Sequence, residues 1–418
     1  MELAVSGSLA ILKIPMTPAL ENACNRIQTD LRENILPFWI SHVKNPSSRS
    51  FHGALSNDRW VDHKAERGAV LGSRILWAYS AAYQKLANPE YLKMASFAYR
   101  DLGLRYLDPE HGGFFWSIHP NDRVLNDRKH LYGQAFAIYG LSEYFAASGE
   151  IAALEMAKNT FHLIEAKARD SEFGGYYESL SREWLPQPDT RLSPTDQNDS
   201  HSQNTLLHLM EAYANLARVW PDPQLFKALE EIVEALCNRV IAADGHSILF
   251  LKRDWTPNSD QISYGHDIET SWLICEASEI LAKPEWIHRT RALALISAEH
   301  TLKNGTDEDG GIYRLGNKNG VIDHCKDWWA QAEAVVGFLN AFQISKEQRF
   351  LTAALKTWRF IEVHLIDHAN GEWFWGLNHQ GRRIDQPKVN FWKCPYHNTR
   401  MALEVARRFS RTNEILKV

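Results

Sequence analysis

Internal repetition constrains this chain more than any other feature of its sequence. Two kinds of helical segment alternate six times along the 418 residues, each pair with its connection spanning roughly 60 residues. The first kind is amphipathic, with charges on one face, and is predicted over about 20–40, 89–107, 151–168, 222–241, 284–302 and 347–366. The second is more apolar and richer in small residues, and is predicted over about 65–86, 130–147, 202–219, 266–281, 326–344 and 395–409. Between an amphipathic segment and the next apolar one stands a glycine turn followed by aromatic residues. Examples are Gly112-Gly113 before Phe114-Phe115-Trp116 and Gly371 before Trp373-Phe374-Trp375, a pattern that reads as a short β-hairpin.

A unit that cannot bury its apolar face alone must stack on its neighbours, and six such units end most economically by closing into a ring. The expected fold is therefore all-α: an (α/α)6 barrel of six helical hairpins, a single catalytic domain spanning 1–418, with about 15 peripheral residues at the N-terminus. The apolar helices line the inside, and short β-hairpins crowd around one mouth, where the inner helices begin. An open helical solenoid is the alternative that repetition alone leaves standing.

Composition narrows the function classes. With 44% hydrophobic and 23% charged residues there is ample material for one large core. A net charge of −5 with scattered lysines and arginines gives no basic stripe, which sets nucleic acid aside. The apolar stretch from Leu3 to Ile14 is broken by Lys13 and has no basic residue before it, and no later run reaches membrane-spanning length. Five cysteines without a CxxC pair argue against a secreted disulfide framework. The expectation is a cytoplasmic protein without a membrane partner, a monomer or homodimer.

Each inner helix carries a polar or aromatic residue in its first half, at repeat spacing: Arg74, Tyr132, Asn204 with His208, His266 with Glu269, Trp329 with Glu333, and His397. Asn204, His208 and Glu211 stand at i, i+4 and i+7 on one helical stripe. His266 and Glu269 share a face at i, i+3, so the carboxylate can meet the imidazole or a substrate hydroxyl. His397 follows Pro395, a residue suited to a first helical turn, and the positive end of the helix dipole there keeps an imidazole neutral and fit to act as a base. A lone histidine in an apolar helix is usually a satisfied core residue, but three at repeat spacing are not. Trp329 and Trp392 are suited to stack on sugar rings, and Arg74 needs a fixed partner, either substrate or a salt bridge with Glu269 or Glu333. A metal site is not expected: no HExxH motif or similarly tight ligand spacing is present, and GxGxxG, P-loop and GxSxG motifs are lacking too.

The segments around these residues are specific. KHLYGQAFAIYGLSEY (Lys129 to Tyr144), NTLLHLMEAYANL (Asn204 to Leu216), YGHDIETSW (Tyr264 to Trp272), WWAQAEAVVGFLNAF (Trp328 to Phe342) and FWKCPYHNTRM (Phe391 to Met401) give a chain that resembles the N-acylglucosamine 2-epimerase superfamily, and within it the cellobiose 2-epimerases, from about residue 20 to 410. The resemblance implies inversion at C2 of a reducing-end sugar with no redox cofactor and no metal. It also implies paired acid/base roles for His266 and His397, a supporting role for His208, and a sugar site containing Arg74, Tyr132, Asn204, Glu269, Trp329 and Trp392, to which the repeat pattern adds Glu333. One departure is Leu206, where cellobiose epimerases often have a further histidine.

The chemistry fits such residues. The C2 hydrogen of an open-chain aldose is acidic because the adjacent carbonyl can take up charge as an enediolate, and epimerisation removes it from one face and returns it to the other. Two alternatives stay open: a mannose 2-epimerase or mannose isomerase acting on monosaccharides, and a glycoside hydrolase using Glu269 and Glu333 as a carboxylate pair. Use of a disaccharide requires a second subsite, expected from the aromatic segment Trp373 to Trp375 and its neighbours.

Overall fold

The computed structural model describes residues 17–194 and 196–409, so the N-terminal stretch expected to be peripheral lies outside the described residues. Among the described residues thirteen α-helices follow one another: α1 (Pro18–Thr29), α2 (Leu36–His42), α3 (Ala69–Leu86), α4 (Pro89–Arg105), α5 (Leu131–Ser148), α6 (Ile151–Lys167), α7 (Gln203–Val219), α8 (Pro223–Ala235), α9 (Tyr264–Leu281), α10 (Pro284–His300), α11 (Trp328–Ser345), α12 (Gln348–Phe360) and α13 (Tyr396–Phe409). A π-helical turn, Asp30–Ile35, joins α1 to α2 into one outer element. Among the described residues no helix is long and apolar enough to cross a membrane.

Local chemistry starts and stops these helices where the sequence patterns change. Proline occupies the first turn of α1, α4, α8 and α10, where its missing N–H costs nothing. Thr17, Asn88 and Asp222 accept backbone N–H groups of the turns they precede. At the far end, Ala87, Gly149, Ala282 and Lys346 adopt left-handed conformations that stop α3, α5, α9 and α11 and turn the chain directly into the next outer helix. Three outer helices end in π turns, Leu236–Val240, Thr301–Gly305 and Ile361–Leu365, a widening that helical periodicity does not reveal.

The ring closes. Helix α3 packs on α5, α5 on α7, α7 on α9, α9 on α11, α11 on α13, and α13 returns to α3, while α1 lies against α12 and α13. This settles the choice between barrel and solenoid. The inner helices are buried on every face, as in the unbroken buried run from Ala69 to Ala82 in α3, whereas α8 and α12 bury one stripe each. Small residues allow the close inner packing: a Cβ on Gly140 of α5 would stand 2.6 Å from the Ser73 carbonyl oxygen of α3.

The mouth carries the expected short strands, but most pair across repeats. Arg67–Gly68 pairs with Ser117–Ile118, Lys129–His130 with Ser179–Leu180, His201–Ser202 with Phe250–Leu251, and Lys326–Asp327 with Gly376–Leu377. Bridges Ile262 to Gly316 and Leu55 to Val389 supply the remaining links. Local hairpins join Lys44–Asn45 to Ser50–Phe51, Ser117–Ile118 to Val124–Asn126, and Leu315–Asn317 to Gly320–Asp323. Two of the glycine-aromatic turns are instead held by the first turn of an inner helix. Gln134 accepts the Phe114 N–H (2.8 Å) and donates to its carbonyl (2.7 Å), and Gln331 does the same to Ile312 (2.7 and 2.9 Å). Lysine–aspartate pairs add charge to the junctions: the buried pair of Lys129 with Asp108 at 2.9 Å and the part-buried pair of Lys326 with Asp307 at 2.6 Å.

Candidate active site

The floor of the mouth is built around one buried arginine. Arg400, on the second turn of α13, donates to Glu211 of α7, Glu269 of α9 and Glu333 of α11, the last at 2.7 Å. One cation facing three carboxylates cannot compensate all of them. Burial pushes the Glu269 carboxyl up to about 7, with the neighbouring Glu333 adding to the effect and Arg400 opposing it. Burial also raises Glu333. For Glu211 the burial penalty is outweighed by Arg400, His208 and Tyr396, and its carboxyl falls to about 2; Tyr396 donates to both of its oxygens at 2.7 and 2.6 Å. Glu269, Glu333 and His397 bring possible metal-ligand atoms within 4.8 Å of one another, but Arg400 already supplies the cation among them.

Three imidazoles stand on this floor, each with Nδ1 engaged. His208 pairs through Nδ1 with Glu211 at 2.9 Å, His397 with Glu333 at 2.7 Å, and His266 with the Ser263 hydroxyl at 2.8 Å. In each case Nε2 is the nitrogen left for chemistry. A carboxylate partner fixes Nδ1 as the protonated nitrogen in His397 and His208, whereas a hydroxyl accepts or donates, so His266 can take either neutral tautomer. Burial holds His266 down to about 3, with His208 contributing, and it holds His397 well below the usual imidazole range, with Arg74 and Arg400 reinforcing the effect. The causes that lower His397 are burial and two guanidinium groups, rather than the helix dipole expected from the sequence.

Trp329 joins two of the histidines: its ring lies 4.7 Å from His266 and 5.7 Å from His397 between centroids. Gly265, just before His266, makes that approach possible, because a Cβ there would fall 2.6 Å from the Trp329 ring. Across the floor, Arg74 donates to the Tyr132 hydroxyl at 2.6 Å and to the Trp392 carbonyl at 3.2 Å, and its guanidinium lies 4.1 Å from the Phe136 ring centroid. Arg74 forms no ion pair with Glu269 or Glu333; Arg400 takes both. Tyr132, pushed up to about 12 by burial, keeps its proton, and accepting from Arg74 leaves that proton available to a ligand oxygen.

Two cavities of about 430 Å³ each open above this floor. One is lined by Asn204, Ser263, His266 and Trp329, the other by Trp116, Arg128, Phe391 and Trp392, and Arg191 and Leu192 border both. The Asn204 side-chain oxygen is buried without a partner, a polar atom suited to meet a ligand in the first cavity. A third cavity, of about 300 Å³, meets Glu211 and Arg400 from the opposite end of the ring, but it is lined by ion-paired groups such as Arg218, Glu276 and Arg407 and by no histidine.

The predicted residues therefore gather at one mouth, with three differences. Glu269 bonds Arg400, and Ser263 is the partner of the His266 ring. Trp373 is wholly buried and donates to Asp30 at the junction with the first outer element, while Trp375 donates to Asp327, so this segment does not form the second cavity. Trp116, Phe391 and Trp392 form it instead. Arg400 was missed by sequence reasoning, because α13 also carries Glu404, Arg407 and Arg408 and one more arginine there is not an anomaly, as Arg74 is in α3.

Known proteins match both sequence and backbone. The model of the N-acylglucosamine 2-epimerase (GlcNAc 2-epimerase) family matches residues 50–399. The cellobiose 2-epimerase of Bacteroides fragilis is 39% identical over 381 residues, covering 91% of this chain and 97% of that protein. That of Dictyoglomus turgidum is 37% identical over 380 residues, covering 90% and 96%. The solved structure of cellobiose 2-epimerase from Bacillus thermoamylovorans superposes with a TM-score of 0.88 at 33% identity, covering 93% of this chain and all of that one. With relatives aligned end to end and the same ring beneath the alignment, the chain belongs to the N-acylglucosamine 2-epimerase family, as a carbohydrate epimerase and hence an isomerase.

Proposed function

We propose that the chain interconverts C2 epimers at the reducing-end sugar of β-1,4-linked disaccharides such as cellobiose, lactose and mannobiose. The observation that carries this reading is the pair His266 and His397, one half-buried and one buried imidazole flanking Trp329, each with Nδ1 bound and Nε2 left over. After ring opening assisted by His208 or His397, one of His266 and His397 takes the C2 proton and the other returns it to the opposite face. The enediolate oxygen between these steps meets the Tyr132 hydroxyl and the Arg74 guanidinium. Glu333, bound to His397 at 2.7 Å, stabilises the imidazolium that forms there. Two adjoining cavities of about 430 Å³ suit two sugar rings, with the aromatic trio of the second facing the non-reducing unit.

The hydrolase alternative loses ground on geometry. Glu269 and Glu333 both bind Arg400, and Glu333 also binds His397 Nδ1, so neither carboxylate stands free to protonate a leaving group or to activate water.

The test is incubation with cellobiose, lactose, mannobiose and mannose in deuterated water, following product identity and C2 deuterium by NMR. Deuterated 2-epimers of the disaccharides are expected, and turnover of mannose alone would refute the disaccharide assignment. His266→Asn and His397→Asn are each expected to slow C2 exchange by about 10²–10⁴-fold. Near-normal exchange in either variant would remove the two-base mechanism.

A further inference from the structure

On the outer side of α9, away from the sugar site, a second cluster of histidines and carboxylates departs from the arrangement of the repeats containing α5 and α11. In the repeats containing α5 and α11, a glutamine in the first turn of the inner helix satisfies both the N–H and the carbonyl of the turn residue facing it. In α9 that position is Asp267. One of its oxygens accepts the Ser247 N–H at 2.7 Å, and the other has no hydrogen-bond partner. The lysine–aspartate pairs of those two repeats are also lacking here, with Ile262 and Ala242 in the corresponding places.

What stands in this junction instead is His300, the last residue of α10, with Asp244 and His246 from the turn after α8. His300 is 8% exposed and its Nδ1 also has no hydrogen-bond partner; it faces the free Asp267 oxygen at 3.5 Å. The His246 ring lies 5.8 Å from that of His300, and His246 Nδ1 meets Asp244 Oδ1 at 2.6 Å. Asp244, His246 and His300 each place a ligand atom within 4.8 Å of the others.

We propose that Asp244, His246 and His300 bind one divalent transition-metal cation of the zinc class, with Asp267 orienting His300 from behind. Two imidazoles and a carboxylate are a donor set suited to zinc, with water completing a tetrahedron. A metal-bound histidine commonly turns its other ring N–H toward a carboxylate, and the Nδ1 to Asp267 approach supplies that arrangement, leaving Nε2 as the ligand. With bonds of about 2.0–2.1 Å, tetrahedral ligand atoms stand about 3.3 Å apart. Closing to that distance requires movement of the accessible Asp244–His246 turn while the buried His300 stays in place. The cation replaces the hydrogen bond between Asp244 and His246, whose imidazole proton passes to the other ring nitrogen, and ties together the turn after α8, the end of α10 and the first turn of α9, one residue from His266.

The experiment uses the full-length protein stripped with a chelator and titrated with Zn2+ by calorimetry, with metal content measured after dialysis and Co2+ as a visible-absorption probe. One Zn2+ per chain and a rise in Tm are expected. His246→Ala and the double variant Asp244→Asn/His246→Ala are expected to bind at least about tenfold more weakly while keeping the metal-free epimerisation rate. Both substituted residues lie on an accessible turn, so the test does not depend on replacing the buried His300. Failure of the wild-type chain to bind saturably overturns the proposal. So does undiminished binding in the double variant, which would place the metal on the histidines of the sugar site.

Discussion

Arg400 holds the site together through three carboxylates that no other cation offsets at short range. Replacing it by methionine leaves those groups buried and without their guanidinium, a change that costs about 3–5 kcal/mol. Urea denaturation of Arg400→Met is expected to show a loss of that size, or no folded protein at all. The histidines set the acid side of stability. The folded-state value of His266 is depressed from 6.5 to about 3 by burial and His208, and that of His130 to a similar value by burial and Arg128. The unfolded chain therefore binds protons first, and the stability these groups contribute above pH 6.5 is lost as pH falls toward 3. Glu269 acts in the opposite sense, its contribution complete below 4.5 and gone once pH has risen through about 7. A plot of Tm against pH is expected to fall between pH 6.5 and 4, and His266→Asn should flatten that fall; an unchanged slope would show that His266 is not held neutral.

At the scale of elements, the first turn of α9 joins structure to chemistry. Ser263 accepts the His266 backbone N–H at 3.5 Å as the N-cap and contacts the same residue's ring at 2.8 Å. Ser263→Ala is expected to cost about 1 kcal/mol of stability and to lower kcat more than it raises KM, because what it loosens is the orientation of the His266 ring. A change in KM alone would assign Ser263 to binding. The cap also explains why α9 starts at Tyr264, before the predicted His266: the apolar period is weak in Tyr-Gly-His, and the side-chain cap decides the boundary. The other helices were legible from 3.6-residue periodicity because each must show a continuous apolar face to its neighbours. The pairing of the mouth strands was not legible. Two-residue strands carry almost no alternation, and their partners lie one repeat further along the chain.

Closure governs the whole molecule. Each inner helix has a neighbour on both sides, the floor contacts run from α7 to α9, α11 and α13, and α1 packs on α12 and α13. An open array unfolds repeat by repeat when neighbour coupling is weak, but a ring has no free end at which unfolding starts cheaply. Far-UV circular dichroism and tryptophan fluorescence are expected to report one coincident unfolding transition. Separate midpoints would show that the repeats are energetically independent despite the ring.

By itself the sequence determined the number of helices in the ring, their alternation between two faces, and which helix starts carry the polar residues, because periodicity and repeat spacing are local records of burial. Only the tertiary structure decided which charges meet. Arg74 and Arg400 are both arginines of inner helices, yet one is held by a phenol and a carbonyl and the other by three carboxylates from three different helices. The same holds for Trp373, which belongs to the junction with the first outer element, and for Trp392, which lines the mouth. The reason is physical: a partner brought close by ring closure leaves no mark at any fixed spacing along the chain, and the energy of a buried charge depends on that partner.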